Sequence, residues 1–154
     1  MRFPPVGKRG YGVNATMVGY ESRSFTEIIE HQNRNTVSVV QFETRLAMDR
    51  AGELLSVKGV DIAMVGPADL SISLGVPGEF ENPLLISTIQ GLIEKCHKHG
   101  VVPGIQVRTV AAAKTWAERG MRFVGAGGEH GLLLEKAKEA VAQLHAVRLV
   151  QPTR

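Results

Sequence analysis

The sequence has few aromatic residues, a single cysteine and no apolar run long enough to cross a bilayer. Cys96 has no partner within the chain, so internal disulfides are excluded and a reducing compartment is favoured. No cluster of His and Cys residues has the spacing of zinc ligands. The first five residues lack the apolar core of a signal peptide. These absences predict a cytoplasmic protein with no membrane partner.

Charged side chains are present in ordinary amounts, at 21% of the chain, with a formal net charge of +3. The densest basic stretch, residues 95–99, lies where a helix is expected to end, and cations there complement the helix dipole. No aromatic residues alternate with these cations, as they would in a nucleic-acid-binding surface. We therefore interpret the stretch as a solvated helix end and expect no nucleic-acid partner.

Segments of strand and helix character alternate along the chain, which is typical of a parallel α/β fold. β-branched and apolar runs predict four strands. A doubly wound sheet and a stretch of a (β/α)₈ barrel both fit this pattern, and four strands are too few to close a barrel, which needs eight. Pro103 and Gly104 are awkward inside a sheet, so the third strand is expected to begin near Gly104. The predicted strands are 37–42, 60–65, 101–107 and 121–126.

The chain is long enough for one domain with a core. Ser24 and Glu27 have the spacing of a capping box, which predicts the start of a helix. Residues 1–23 are expected to form a leading loop, 24–147 a helix followed by four βα units, and 148–154 a polar tail. Further helices are predicted at 46–57, from Pro83 to a stop at Gly100, at 110–119, and from Glu129 or His130 to about Val147.

Two carboxylates, Glu43 and Asp69, follow the first two predicted strands. Because consecutive parallel strands lie side by side with their carboxyl ends at one edge, these side chains are expected to lie close together. A pair of carboxylates suits a hard divalent cation, and this edge is where α/β proteins have their active sites. The alternative is that each residue caps the helix that follows its strand, and this alternative carries more weight for Asp69 than for Glu43.

The small-residue turn Gly66, Pro67 and Ala68 follows the second strand and leaves backbone N–H groups open to a carboxylate or phosphate. The alternative is a simple tight turn. Gln41 is a polar residue within an apolar strand, and it either bonds a substrate oxygen or is a satisfied core amide. The glycine-rich stretch 125–128 matches no phosphate-binding pattern. Trp116 and Phe123 are predicted to be packing residues.

Taken in order, several strings resemble the HpcH/HpaI aldolase family. The stretch FPPVGKRG at 3–10 is similar to the family's Y-P-P-x-G-x-R-G, and QFET at 41–44 is similar to Q-I-E-T. GVD at 59–61, followed by GPADLS at 66–71, is similar to G-V-D and G-P-A-D-L-S. PGI at 103–105 and GMRFV at 120–124 match two later blocks. The resemblance covers nearly the whole chain.

The resemblance implies the second half, about four strands, of a TIM (β/α)₈ barrel. It also implies a carbon–carbon lyase that forms or cleaves 4-hydroxy-2-oxo acids from pyruvate and an aldehyde, through a metal-bound pyruvate enolate. Glu43 and Asp69 are the implied ligands of Mg²⁺ or Mn²⁺, with Co²⁺ as a further candidate. The implied substrate-binding residues are Gln41 and the backbone of Gly66, Pro67 and Ala68, while residues around Gln106 and Val107 would shape the aldehyde end.

Departures from the family pattern limit these expectations. The family's proton-transferring His and keto-polarising Arg belong to its first half, so no catalytic residue is assignable here. The segment 14–16 and the position after the last strand, around Glu129, also differ. A half barrel has open edges, so we expect a fragment, a truncated product, or a homo-oligomer or other association that completes the barrel. The alternative function is a catalytically incomplete remnant that binds metal or associates with other chains.

Overall fold

In the part of the chain that the structure describes, four short strands form one parallel sheet in the order β1-β2-β3-β4, which confirms the predicted parallel α/β fold. The computed structural model describes residues 1–147, so the predicted tail at 148–154 lies outside the described residues. Sequential neighbours pair throughout, and each connection between strands contains at least one helix. The strands are β1 (Val39–Phe42), β2 (Ile62–Val65), β3 (Val102–Val107) and β4 (Phe123–Ala126).

Within residues 1–147, seven α-helices accompany the sheet. Two differ from expectation: the predicted helix at 46–57 is divided at Arg50, where the backbone (φ −92°, ψ 15°) leaves the helical range, and a short helix follows Gly66. A 3₁₀ turn, Ala15–Val18, interrupts the leading segment. The helices are α1 (Phe25–Asn35), α2 (Arg45–Asp49), α3 (Ala51–Leu55), α4 (Pro67–Ser73), α5 (Pro83–His99), α6 (Val110–Glu118) and α7 (Glu129–His145).

Local sequence signals set the helix ends. The capping box is confirmed, because Ser24 Oγ accepts from Glu27 N and the Glu27 carboxylate accepts from Ser24 N at 2.9 Å. Gly100 ends α5 in the left-handed conformation, at φ 66°, which a glycine adopts without strain. Within residues 1–147, no helix combines the length and apolarity needed to cross a membrane.

The expected start of β3 near Gly104 is wrong, because β3 begins at Val102 and includes the buried Pro103. The Pro103 carbonyl accepts from Arg122 N at 2.9 Å. The pairing of β3 with β4 starts at Gly104 and Phe123. A residue with a backbone N–H at position 103 would direct it toward residues that precede β4, outside the ladder. Proline therefore costs this sheet no ladder hydrogen bond.

The two faces of the sheet have different surroundings. One face packs against the helices and forms a core of aliphatic residues with Phe42, Trp116 and Met121. The opposite face carries Val39, Val102 and Phe123, which are 37%, 40% and 44% exposed. Phe123, predicted to be a packing residue, therefore lies half-open on this second face. Helix α7 buries none of its side chains within the described part of the chain.

The amino edge of the sheet is fixed by a carboxylate. Asp61 Oδ2, just before β2, accepts from Ser38 N at 2.7 Å and from Arg2 Nη2 at 3.2 Å. The same Arg2 nitrogen donates to Thr36 O at 3.1 Å. These bonds join the leading segment to the residues that precede β1 and β2. Asp61 therefore stabilises the edge opposite to the predicted site.

We predict that Asp61→Ala lowers the free energy of unfolding by about 1–2 kcal/mol, because it leaves the Ser38 N–H and the Arg2 guanidinium without their acceptor. Urea denaturation measures this change. The control is Asp49→Ala, whose carboxylate is exposed on α2 and makes no hydrogen bond within residues 1–147. Equal stability of the two variants would contradict the assigned role.

The single thiol provides a second check of the fold. Cys96 lies on the buried side of α5, and burial raises its pKa to about 11. Because the thiolate is the reactive form, we predict that Cys96 at pH 8 reacts with a dithiobis(nitrobenzoate) reagent roughly 100-fold more slowly in the folded than in the urea-unfolded chain. Similar rates in both states would show that α5 does not pack on the sheet as described.

Candidate active site

Glu43 and Gly66 occupy equivalent positions, each one residue beyond the end of its strand. β1 and β2 pair so that Phe42 lies opposite Val65, and Gly66 N donates to Phe42 O at 3.2 Å. The two strand ends are thus held side by side at the carboxyl edge of the sheet. Glu43 is half-buried there.

Glu43 is oriented by its neighbour on the same face of β1. Gln41 Nε2 donates to Glu43 Oε2 at 2.7 Å. Both side chains lean over Gly66: a Cβ atom at this position would lie 3.0 Å from Glu43 Oε2 and 3.2 Å from Gln41 Nε2. The space occupied by these polar groups therefore exists because residue 66 has no side chain.

Asp69 lies in the first turn of α4, three residues after Gly66. Gly66 is the N-cap of this helix and no side chain caps it, so Asp69 does not act as the cap. Helix α2, which follows Glu43, is capped by Thr44 Oγ1, which accepts from Ala47 N at 3.1 Å. Capping thus accounts for neither carboxylate. Within residues 1–147, the Asp69 carboxylate makes no hydrogen bond or ion pair.

Helix α4 is anchored near its C-terminal end by two serines. The fully buried Ser71 donates from Oγ to Ala68 O at 2.6 Å and accepts from Gly78 N at 3.0 Å. At the last residue of the helix, Ser73 Oγ accepts from Arg45 N at 2.9 Å. The last contact joins α4 to the start of α2, so the helix that carries Asp69 is attached to the loop that carries Glu43.

A cleft of about 880 Å³ opens at this edge of the sheet. Gln41 and Asp69 line it, together with Gly66, Pro67 and Ala68, so five of the six predicted site residues contribute to one cavity. Glu43, the sixth, does not line the cavity itself but is hydrogen-bonded to Gln41, which does. Gln106 Nε2, near the end of β3, donates to Gly127 O at 2.7 Å and so joins β3 to the loop that follows β4. The cleft therefore spans the ends of all four strands.

The donor atoms fit a hard divalent cation. Glu43, Asp69 and Gln41 offer carboxylate and amide oxygens, which Mg²⁺ and Mn²⁺ prefer, and Gly66 leaves room beside them. In the described part of the chain, no three His, Cys, Asp or Glu side chains gather into a complete metal-binding group. Two carboxylates leave the remaining positions to water and substrate, which is how magnesium is usually held at enzyme sites.

Several lining residues were not identified from the sequence. Arg108 and Thr109 follow β3 as Glu43 follows β1, so the same positional rule could have identified them. Trp116, predicted only to pack, is buried and also contacts the cavity. Loop and helix residues far along the chain complete the wall, and no local pattern identifies them: Phe80, Glu81, Leu132 and Glu135.

Comparison with known proteins identifies the family of this chain. The model of the family described as HpcH/HpaI aldolase/citrate lyase matches residues 1–136. The chain belongs to this family. It is 33% identical over 145 residues to the 4-hydroxy-2-oxo-heptane-1,7-dioate aldolase of Escherichia coli, covering 94% of this chain and 55% of that protein. The enzyme of the same name from Shigella flexneri is 35% identical over 141 residues, covering 92% and 52%.

Two solved structures illustrate the fold that the chain shares with known proteins. The HpcH/HpaI aldolase of Desulfitobacterium hafniense superposes with a TM-score of 0.80 at 27% identity, over 98% of this chain and 58% of that one. The citrate synthase SbnG superposes with a TM-score of 0.75 at 21% identity, over 94% and 54%, which shows the fold alone. The chain spans about half the length of the curated relatives it matches. It corresponds to half of a TIM barrel.

We predict that Gly66→Ala lowers the free energy of unfolding by about 1–3 kcal/mol, because the added methyl group displaces Glu43 and Gln41 from their contact. Urea denaturation measures the loss, and the side-chain amide NMR signals of Gln41 are expected to shift. Gly52→Ala is the matched control, since nothing lies within 4 Å of a Cβ at that helical position. A stability loss no larger than that of the control would mean that the space above Gly66 is not restricted.

Proposed function

We propose that this chain carries the metal-binding half of the active site of a carbon–carbon lyase, which joins pyruvate to an aldehyde or cleaves the resulting 4-hydroxy-2-oxo acid. The observation that supports it most is a pair of carboxylates that cap no helix: Glu43, one residue beyond β1, and Asp69, in the first turn of the helix that follows β2. Family membership and relatives named as aldolases point to the same reaction class.

In this proposal Glu43 and Asp69 hold a divalent cation, Mg²⁺ or Mn²⁺. Such an ion, when bound, supplies Lewis-acid stabilisation of the negative charge that develops as the pyruvate methyl group loses a proton. Gln41 restricts the Glu43 carboxylate to one rotamer through the 2.7 Å bond to Oε2, leaving Oε1 free for the ion. Glu43 would then hold the ion while its bond to the Gln41 amide keeps the carboxylate in place.

The turn at Gly66, Pro67 and Ala68 is the proposed binding site for the pyruvate carboxylate. These residues line the cleft beside Asp69, and their small side chains leave the backbone accessible. A backbone N–H in such a turn binds a carboxylate oxygen without adding a titratable group. The pyruvate carboxylate would thus be recognised next to the ion, with its methyl group directed into the cleft.

The open face of the sheet indicates that the active assembly contains more protein than one copy of this chain. Val39, Val102 and Phe123 are exposed on the face that a complete barrel encloses. β1 and β4 pair on one side only within the described residues. We therefore propose that a second half barrel, from another copy or from a larger polypeptide, covers this face and supplies the proton-transfer group.

Isothermal titration calorimetry with Mn²⁺ tests the metal site. We predict that Glu43→Gln and Asp69→Asn each weaken binding by about 100-fold or more, because each removes one of two charged ligands. Glu118→Gln and Asp49→Asn make the same chemical changes on exposed helix ends and are expected to leave the affinity unchanged. Equal affinity in all four variants would refute the assignment of the ligands.

Turnover is then measured by NMR with pyruvate, an aldehyde and Mn²⁺, using the chain in the assembly that it forms on purification. The proposal expects condensation that depends on the metal and is lost in the Glu43 and Asp69 variants. Metal binding without turnover would identify the chain, in that assembly, as a catalytically incomplete remnant.

A further inference from the structure

Three residues lie along one face of α4, and the two outer ones both contact the segment that carries Glu43. Gly66, Asp69 and Ser73 are spaced by three and four residues, which places them on one side of the helix. A Cβ atom at Gly66 would lie 3.0 Å from Glu43 Oε2, and Ser73 Oγ accepts from Arg45 N at 2.9 Å. Asp69 lies between these two contacts, on the side of α4 that faces the segment of Glu43.

The contact made by Ser73 joins α4 to the backbone of the neighbouring segment. Arg45 is the first residue of α2, so its N–H has no acceptor within that helix. Ser73 supplies the acceptor from α4, and Arg45 N is only two residues from Glu43. Because a backbone atom moves with its neighbours in the chain, this bond relates the position of α4 to that of Glu43.

The other contacts of α4 fix its place more than its rotation. Leu70 and Leu74 are 0% and 7% exposed, and they pack α4 onto the core. Apolar packing is non-directional, so it keeps the helix folded without fixing the direction of the Asp69 face. Arg45 Nη2 also donates to Leu74 O, at 3.3 Å, but the guanidinium lies at the end of a long side chain with many rotamers. Ser73 is thus the shorter and stiffer link.

We propose that Ser73 is a positioning residue for the divalent-cation site and holds the Asp69 face of α4 toward Glu43. This inference rests on the proposed function, since it concerns the two carboxylates assigned there as ligands. A residue of this kind changes the metal affinity through the ligand that it orients and does not touch the ion. The effect of Ser73 on metal binding therefore depends on the presence of the Asp69 carboxylate.

Titration with Mn²⁺, followed by electron paramagnetic resonance of the free ion, measures this effect. We expect Ser73→Ala to weaken Mn²⁺ binding by about 10-fold, the lower end of what the loss of a supporting contact to a ligand costs. Ser73→Thr keeps the hydroxyl at an exposed position and is expected to restore most of the affinity. The matched control is Ser87→Ala, which removes a hydroxyl that donates within its own helix to Leu84 O and is expected to leave the affinity unchanged.

A double-mutant cycle separates positioning from a general loss of structure. In an Asp69→Ala background, we expect Ser73→Ala to change the remaining Mn²⁺ affinity by less than about twofold, because the ligand that Ser73 orients is already absent. The same loss in both backgrounds would overturn the proposal, and so would full affinity of the Ser73→Ala single variant. A loss that Ser73→Thr shares in full would also overturn it.

Failure of the proposed function has a different signature. If the unmodified chain binds no Mn²⁺, or binds it equally well after Glu43→Gln, the assignment of the ligands fails. Residual dipolar couplings of the backbone N–H groups then decide whether Ser73 orients α4. Ser73→Ala is expected to change the orientation of residues 67–73 relative to the sheet, whereas Ser87→Ala is not. An unchanged orientation would overturn the role of Ser73.

Discussion

The parallel pairing of β1 with β2 is the constraint on which the site depends. It brings residue 43 and residue 66 to the same edge of the sheet, where Glu43, Gln41 and the bare backbone of Gly66 come into contact. A slip of the register by one residue would turn Glu43 to the helix-covered face and would bury a carboxylate among aliphatic side chains. The core therefore fixes the register, and the register fixes the site.

The amino edge of the sheet contributes to stability, whereas the carboxyl edge carries the candidate site. At the amino edge, Asp61 Oδ2 accepts from both Ser38 and Arg2, so this carboxylate holds segments of the fold together. At the carboxyl edge, the Asp69 carboxylate has no partner among residues 1–147. Helix α4, which carries Asp69, is attached to the neighbouring segment through Ser73 and not through that carboxylate. Binding capacity is concentrated at the edge where side chains are positioned but unsatisfied, as in TIM-barrel enzymes generally.

Sequence patterns predicted the features that depend on near neighbours in the chain. Ser24 and Glu27 cap their helix, and Gly100 ends α5, because these interactions span only a few residues. Pro103 was misjudged because its effect depends on where β4 begins, twenty residues later. The candidate ligands follow shortly after predicted strands, so the local pattern was enough to identify them. Phe80 and Glu135 reach the cleft wall only through the tertiary structure, and no local pattern identifies them.

The convergence of two carboxylates on one ion is the central claim, and anomalous X-ray scattering from crystals grown with Mn²⁺ measures it most directly. We predict a single strong anomalous peak bonded to one oxygen of Glu43 and one of Asp69, at the roughly 2.0–2.3 Å typical of oxygen ligands to such ions. A peak bonded to only one of these residues, or located away from the carboxyl edge of the sheet, would contradict the account.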